Sequence, residues 1–244
     1  MDKEKSISGE IVPVNNITEP EKKRMFELMD EYYEGANWQH FLGDLSEKAH
    51  VIMLRDSQTQ DIQGFSTQMT LETQVDGVLT KALFSGDTII NKDYWGESAL
   101  AGLWGKYALS LIDSNPHTPL FWFLISKGYK TYKFLPVFFN EFYPRFDKQT
   151  PAYEKKVIDT FARLKFPDLY DAKKGLILAD DKKDKLRGGV ADITEARLRD
   201  EHIRYFVERN PNWKSGDELA CIAPLSRTNF NRMAYRAIKS VNKP

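Results

Sequence analysis

The chain is short of the residues that mark the commonest chemistries. Its single cysteine, Cys221, excludes an intramolecular disulfide and a cysteine-based zinc site, and it sits in an apolar stretch as a small core residue would. The four histidines, His40, His50, His117 and His202, show no metal-ligand spacing, so no metal is expected. His117, just ahead of an apolar strand, is the one histidine placed to approach a site at that strand's start. Net charge is lacking too: lysine plus arginine and aspartate plus glutamate both count 35, which leaves no global field to draw nucleic acid or an anionic membrane. The longest apolar run, residues 120–125, falls far below the roughly 20 residues of a membrane-spanning helix, and residues 1–5 are charged with no apolar stretch behind them. There is no phosphate-binding glycine loop, no Ser-His-Asp nucleophile elbow, no repeat and no linker. These absences together predict a cytoplasmic protein without a membrane span or a nucleic-acid partner.

Apolar and aromatic residues are plentiful, 41% and 13% of 244, enough to fill one large core. Residues 10–14 form a short strand. Thr18 caps a helix with Pro20 in its first turn and Met25, Phe26, Leu28, Met29, Tyr32 and Tyr33 on its apolar face, and Gly35 ends it. Asn37 caps a second helix carrying Trp38, Phe41, Leu42, Leu45 and Ala49. Residues 50–54 and 62–71 pair as a hairpin across the turn residues 56–61, because Phe65, Thr67, Met69 and Leu71 recur at period two. A second turn at Val75, Asp76 and Gly77 leads into the stretch that organises the rest, residues 82–112. It opens as a continuously apolar strand and closes as a helix with Leu100, Leu103, Trp104, Tyr107, Ala108, Leu111 and Ile112 at helical spacing. The polar link between them aims helix N-terminal N–H groups at whatever lies above the sheet, a place suited to an anion. Residues 119–126 follow as a strand buried on both faces.

The order strand, two helices, three strands, helix, strand, with that link in its middle, resembles the GNAT superfamily of acyl-CoA-dependent N-acyltransferases over residues 9–140. The most specific segment is Ile90-Asn91-Lys92-Asp93-Tyr94-Trp95-Gly96-Glu97-Ser98-Ala99-Leu100. Tyr94 and Gly96 match the family's diphosphate-binding turn; Trp95 stands where Arg or Gln is usual, and Ser98 and Leu100 stand where glycine or alanine is usual. The resemblance implies a mixed, mostly antiparallel α/β (α+β) sheet flanked by helices, with residues 1–149 as the acyltransferase core. Residues 150–244 form an extended helical C-terminal region that completes the sheet. It also implies transfer of an acyl group from a thioester to a primary amine on a small molecule or peptide. Two donors fit. For acyl-CoA, the amides of Gly96, Glu97, Ser98, Ala99 and Leu100 hold the diphosphate, and the backbone of Ile89 and Ile90 holds the pantetheine. For an acyl carrier protein, the phosphopantetheine needs no full diphosphate cradle.

Catalysis of that kind calls for a proton acceptor near the amine, an oxyanion site and an acid for the departing thiolate. Asp87, a carboxylate within an apolar strand, is the candidate base; its alternative is an aspartate tied to backbone at a bulge beside Gly86. Tyr129 and Tyr132, after the fifth strand of the family pattern, are the candidate acids or else packing residues. The aromatic run of residues 134–144 reads either as core or as the wall of a tunnel for a long acyl chain. Farther on, a helix covers residues 153–164 and strands cover 175–179 and 218–225. Thr194 caps a helix running through Leu198 to Val207, and Ser226 caps a final helix. The helical segment between those two strands is expected as an added lobe over the acceptor side, and residues 180–185 as a solvated hairpin tip. A non-catalytic protein that keeps the fold to bind a ligand or partner is the rival reading.

Overall fold

The structure is a computed structural model and describes residues 6–180, 185–190 and 192–241. Residues 181–184, most of the expected hairpin tip, lie outside the described residues. The chain opens with β1 (Ile7–Pro13), α1 (Glu19–Tyr32), a two-residue strand β2 (Tyr33–Glu34) and α2 (Trp38–Ser46). Three long strands follow, β3 (His50–Asp56), β4 (Ile62–Val75) and β5 (Val78–Ile90), then α3 (Ala99–Ser114) and β6 (Leu120–Ser126). Next come the short helices α4 (Tyr129–Tyr132) and α5 (Phe134–Phe138), and the longer α6 (Ala152–Lys165). The remainder is β7 (Tyr170–Asp171), β8 (Leu176–Ile177), β9 (Lys185–Leu186), α7 (Glu201–Arg209), β10 (Glu218–Pro224) and α8 (Arg232–Ser240).

Local chemistry accounts for most boundaries in the first half. Thr18 and Glu21 form a capping box, each side chain serving the other's backbone, and Pro20 lies in the first turn. The Asn37 side chain accepts from the N–H groups of Gln39 and His40, both at 3.0 Å. Asp76 and Gly77 take positive φ values of 50° and 78°, the geometry of a tight hairpin turn, and so set the β4–β5 register at Val75 opposite Val78.

Two expected caps are displaced. The long C-terminal helix begins at Glu201 behind Asp200, whose carboxylate accepts from His202 and Ile203, so Thr194 caps no helix there. The last helix begins at Arg232 behind Asn231, and Ser226 belongs to the preceding turn. In each case an Asx residue, Asp200 or Asn231, lay closer to the segment that could pack.

Eight strands form one sheet in the order β1-β3-β4-β5-β6-β10-β8-β7, antiparallel throughout except for the β5–β6 pair. This is the mixed, mostly antiparallel, helix-flanked sheet that the resemblance implies. β10 hydrogen-bonds along β6, so the C-terminal region completes the same sheet. Helices α1, α2 and α6 cover one face: Met25, Leu28 and Phe41 pack on Val51, Met53 and Phe65, and Val157, Ile158 and Phe161 on Ala82, Phe84 and Phe123. The other face carries α3, α4, α5, α7 and α8, over Ile52, Leu54, Leu83, Trp122 and Leu124. Of the C-terminal helices, α6 therefore lies on the face of α1 and α2, and α7 and α8 lie on the α3 face. No helix among the described residues is long and apolar enough to cross a membrane.

Candidate active site

The site grows from an irregularity in β5. Ser66 pairs with Thr88 and Gln68 with Ser85, so one residue of β4, Thr67, faces two of β5, Gly86 and Asp87. That is a β-bulge. On its other side β5 runs parallel to β6 only from Lys81–Leu120 to Ser85–Leu124, and beyond Ser85 the two strands share no further register. The sheet opens at the bulge. Gly86 is required there, because an added Cβ would lie 2.6 Å from Thr67 Oγ1 and 2.9 Å from Lys48 Cε.

A cavity of ≈ 590 Å³ fills the opening and reaches both faces of the sheet; Ser85, Gly86, Asp87 and Thr88 line its waist. On the α3 face its walls are apolar: Leu100, Trp104, Trp122, Phe134, Phe138 and Phe230, with Ala234 and Ile238 of α8 as a roof. Helix α8 is seated closely on α3, since a Cβ at Gly102 would lie 2.5 Å from the Ala237 carbonyl oxygen and one at Gly105 2.5 Å from Ile238. On the α1–α2 face the lining mixes polar and charged side chains, Tyr33, His40, Asp44, Glu47, Lys127 and Lys165, with apolar ones such as Met29, Phe41, Phe84 and Phe166. Lys165 pairs with Glu47, Lys127 Nζ lies 3.8 Å from Glu218, and Lys48 Nζ lies 2.5 Å from Asp44. The Lys127 ammonium also stands over the Tyr33 ring, 5.0 Å from its centre.

The residues singled out from the sequence divide into two groups. Asp87 and Leu100 line the cavity, and the alternative reading of a bulge beside Gly86 describes the backbone there correctly. Gly96, Glu97 and Ser98 lie on the exposed turn before α3, with Gly96 at a φ of 103°, and Ala99 is buried at the helix start. The Ser98 hydroxyl is 3.0 Å from the hydroxyl of Ser240, so the end of α8 meets the turn expected to hold a diphosphate. Ile89 is a core residue paired with Phe65, and Ile90 pairs with Gly64.

Trp95 explains part of the departure from the family pattern. Its indole N–H donates to the Ile90 carbonyl at 2.8 Å, occupying an oxygen expected to serve the donor. The Lys130 ammonium lies 3.4 Å from the centre of the Trp95 ring, a cation–π contact that joins the turn after β5 to the helix after β6. Burial pushes the Lys130 ammonium below the usual lysine value.

Tyr129 and Tyr132 are not brought to the cavity. Tyr132 is fully buried beside Phe206 and Phe142, its hydroxyl donates to the Pro144 carbonyl at 2.9 Å, and desolvation pushes its phenol far above the usual value. Tyr129 is buried in the same cluster beneath the Arg197 guanidinium. Their periodicity fixed them on the inner side of a helix, which here faces α7. The aromatic run splits as well: Phe134 and Phe138 line the cavity, while Leu135, Phe139, Phe142 and Tyr143 are core. Cys221 is buried, and desolvation pushes its thiol well up. His117 is exposed and away from the lining, whereas His40, which spacing did not single out, is part of it. Ser85, Lys127, Trp104 and Trp122 were likewise missed, because only the sheet's opening brings them together.

No protein-family model matches the chain, and no curated protein matches it in sequence. Similar solved structures include a conserved protein of unknown function from Enterococcus faecalis V583, with TM-score 0.42 and 15% identity over 65% of this chain. The match spans 44% of that protein's length. A GNAT family N-acetyltransferase from Escherichia coli in complex with CoA gives TM-score 0.38 and 12% identity over 55% of this chain and 71% of that one. Saccharomyces cerevisiae N-myristoyltransferase with bound myristoyl-CoA gives 0.36 and 12% over 48% and 30%. What this chain does is therefore read from its own cavity. By strand order, by its single parallel pair and by the bulge where that pair opens, the chain has a GNAT-like fold.

Proposed function

We propose that the protein is an N-acyltransferase that moves an acyl group from a phosphopantetheine thioester to a primary amine without a covalent enzyme intermediate. One observation carries this reading: a cavity passes through the opened sheet, apolar on one face and bearing charged side chains among apolar ones on the other, with the bulge and Asp87 between them. A thioester entering from the apolar side meets an amine entering from the charged side at that waist. The amine lone pair forms the C–N bond as the carbonyl π pair moves to oxygen; collapse restores the carbonyl and expels the thiolate. Asp87 takes the proton lost by nitrogen, the bulged backbone faces the oxyanion, and Lys127 returns a proton to the thiolate. Lys127 takes the acid role expected of Tyr129 or Tyr132 because it lines the cavity just beyond the end of β6.

The apolar half fits a fatty acyl group, with each buried methylene worth about 0.8 kcal/mol. The charged half fits an amino acid or peptide amine whose own charges meet Asp44, Glu47, Lys127 and Lys165. The donor is acyl-CoA or an acyl carrier protein, and Ser98 bound to Ser240 is the observation that favours the carrier, whose arm needs no diphosphate cradle. The Trp95 indole on the Ile90 carbonyl favours the second reading, a non-catalytic protein that binds a ligand in the same cavity. Thiol release on adding amines to acetyl-CoA, palmitoyl-CoA and palmitoyl carrier protein separates these readings. Release with palmitoyl donors and little with acetyl is expected. Use of acetyl alone would remove the fatty chain, and a bound donor without release in any arm would leave the binding protein.

A further inference from the structure

A chain of hydrogen bonds runs beneath the bulge, and its first links have one possible sense. The indole N–H groups of Trp104 and Trp122 both donate to Ser85 Oγ, at 3.1 and 3.0 Å. An indole can only donate, and a hydroxyl offers two lone pairs and one proton. With both lone pairs taken, Ser85 donates to Gln68 Oε1 at 2.7 Å. The Gln68 side chain, fully buried, is thereby oriented, and its Nε2 donates to Ser66 Oγ at 2.8 Å. Ser66 Oγ lies 2.7 Å from Thr88 Oγ1, and Thr88 Oγ1 donates to the Gly86 carbonyl at 3.3 Å. When Thr88 gives its one proton to Gly86, Ser66 donates to Thr88; in that pair either hydroxyl can be the donor.

The two ends give the chain its meaning. It starts at the Trp104 and Trp122 rings, whose centres are 4.4 Å apart with the planes tilted by 45° and which line the apolar half of the cavity. It ends on the peptide of Gly86, inside the bulge. Ser85, at its centre, is the last β5 residue in register with β6, the point at which the sheet opens. Polar side chains at Ser66, Gln68 and Ser85 occupy the positions of β4 and β5 that face α3, where Leu54 and Leu83 provide ordinary apolar packing on neighbouring stretches. Linked hydrogen bonds polarise one another and rigidify what they join.

We infer that Ser85, Gln68, Ser66 and Thr88 are positioning residues that hold the β5 bulge in its reactive shape and tie it to the tryptophans lining the donor chamber. This rests on the acyl-transfer reading of the same cavity. Thr88→Val removes the last link at nearly constant volume, Thr88→Ser keeps it, and Ser85→Ala removes the centre. For Thr88→Val and Ser85→Ala, kcat is expected to fall about 10- to 100-fold, as slight misplacement of reacting groups does, while KM for donor and amine stays within about twofold. Thr88→Ser is expected to recover most of the loss. Amide hydrogen exchange gives a readout independent of activity: the 86–88 segment exchanges faster in Thr88→Val than in the parent or Thr88→Ser, while strands far from the bulge are unchanged. An unchanged kcat, or a loss confined to KM, would overturn the inference in an active enzyme. If the parent protein transfers no acyl group, the transfer reading fails separately and exchange alone decides; unaltered exchange at 86–88 in Thr88→Val would then reject the positioning role. Should Ser85→Ala not fold, the Thr88 pair suffices.

Discussion

The two halves of the cavity share the strands β4, β5 and β6 yet are built by different means. The α3 half is shaped by packing: Trp104 touches Trp122, Phe139 and Phe230 with ring centres 4.4, 6.1 and 6.3 Å away, and α8 presses on the Gly102 and Gly105 side of α3. The α1–α2 half is shaped by charge, with Lys165, Glu47, Asp44 and Lys127 held in ion pairs. Packed walls discriminate by shape and resist salt, whereas partly exposed ion pairs exchange partners and are screened. One half therefore suits a fixed apolar chain, and the other a polar acceptor that must arrive and leave.

Substitutions at the waist and in each half test that contrast. Asp87→Asn keeps the volume and removes the proposed base, so kcat is expected to fall by about 100-fold or more in steady-state assays. A loss under tenfold would place the base elsewhere. Ala234→Phe fills the apolar half from its roof. Turnover of long-chain donors should fall by roughly 10-fold or more while short-chain donors are spared, as measured by competition between two chain lengths. An equal loss for both would show that α8 does not measure the acyl chain. Raising salt from about 0.05 to about 0.5 M should change KM for a charged amine several-fold and leave KM for the donor nearly constant; parallel changes would erase the distinction between the halves.

The smallest expected effect concerns the loop between β5 and α3. The Asp56 carboxylate accepts from the Tyr94 hydroxyl at 2.5 Å and from the N–H groups of Gln58 and Thr59 at 2.8 Å. The Tyr94 bond is the chief reason its pKa falls from 3.8 to about 2, and the same bond raises Tyr94 to about 12. A carboxylate depressed in the folded state adds stability above its unfolded pKa, and that contribution is lost as pH falls from about 3.8 through about 2. Tyr94→Phe removes the main cause, so the midpoint of acid unfolding followed by circular dichroism should move to higher pH. The phenol, raised in the folded state, contributes below its unfolded pKa of 10.0 and loses that contribution as pH rises through about 12. The variant should therefore lack the parent's alkaline step.

Features set by a few neighbouring residues were legible in the sequence. The Thr18 capping box, the Asn37 cap, the Asp76-Gly77 turn and the strand-to-helix unit around α3 all follow from residues within one turn of each other. Thr194 and Ser226 misled because Asp200 and Asn231 cap equally well, and tertiary packing chose between them. The site was half legible. Asp87 stood out as a carboxylate in an apolar strand, but no periodicity reveals that Tyr132 points to Pro144 or that α8 lies over α3. The hydrogen-bond chain was invisible for the same reason: Ser85 meets Gln68, Trp104 and Trp122 across 17, 19 and 37 residues of sequence. Such contacts exist only once the sheet has formed.

The most direct test of acyl transfer through the opened sheet is a mass-spectrometric count of amide product against free thiol, with a palmitoyl thioester and a mixture of amino acids and peptides as acceptors. The account predicts amide and thiol in equal amounts, both formed about 100-fold or more slowly by Asp87→Asn. Thiol without amide, or equal product from Asp87→Asn and the parent, would contradict it.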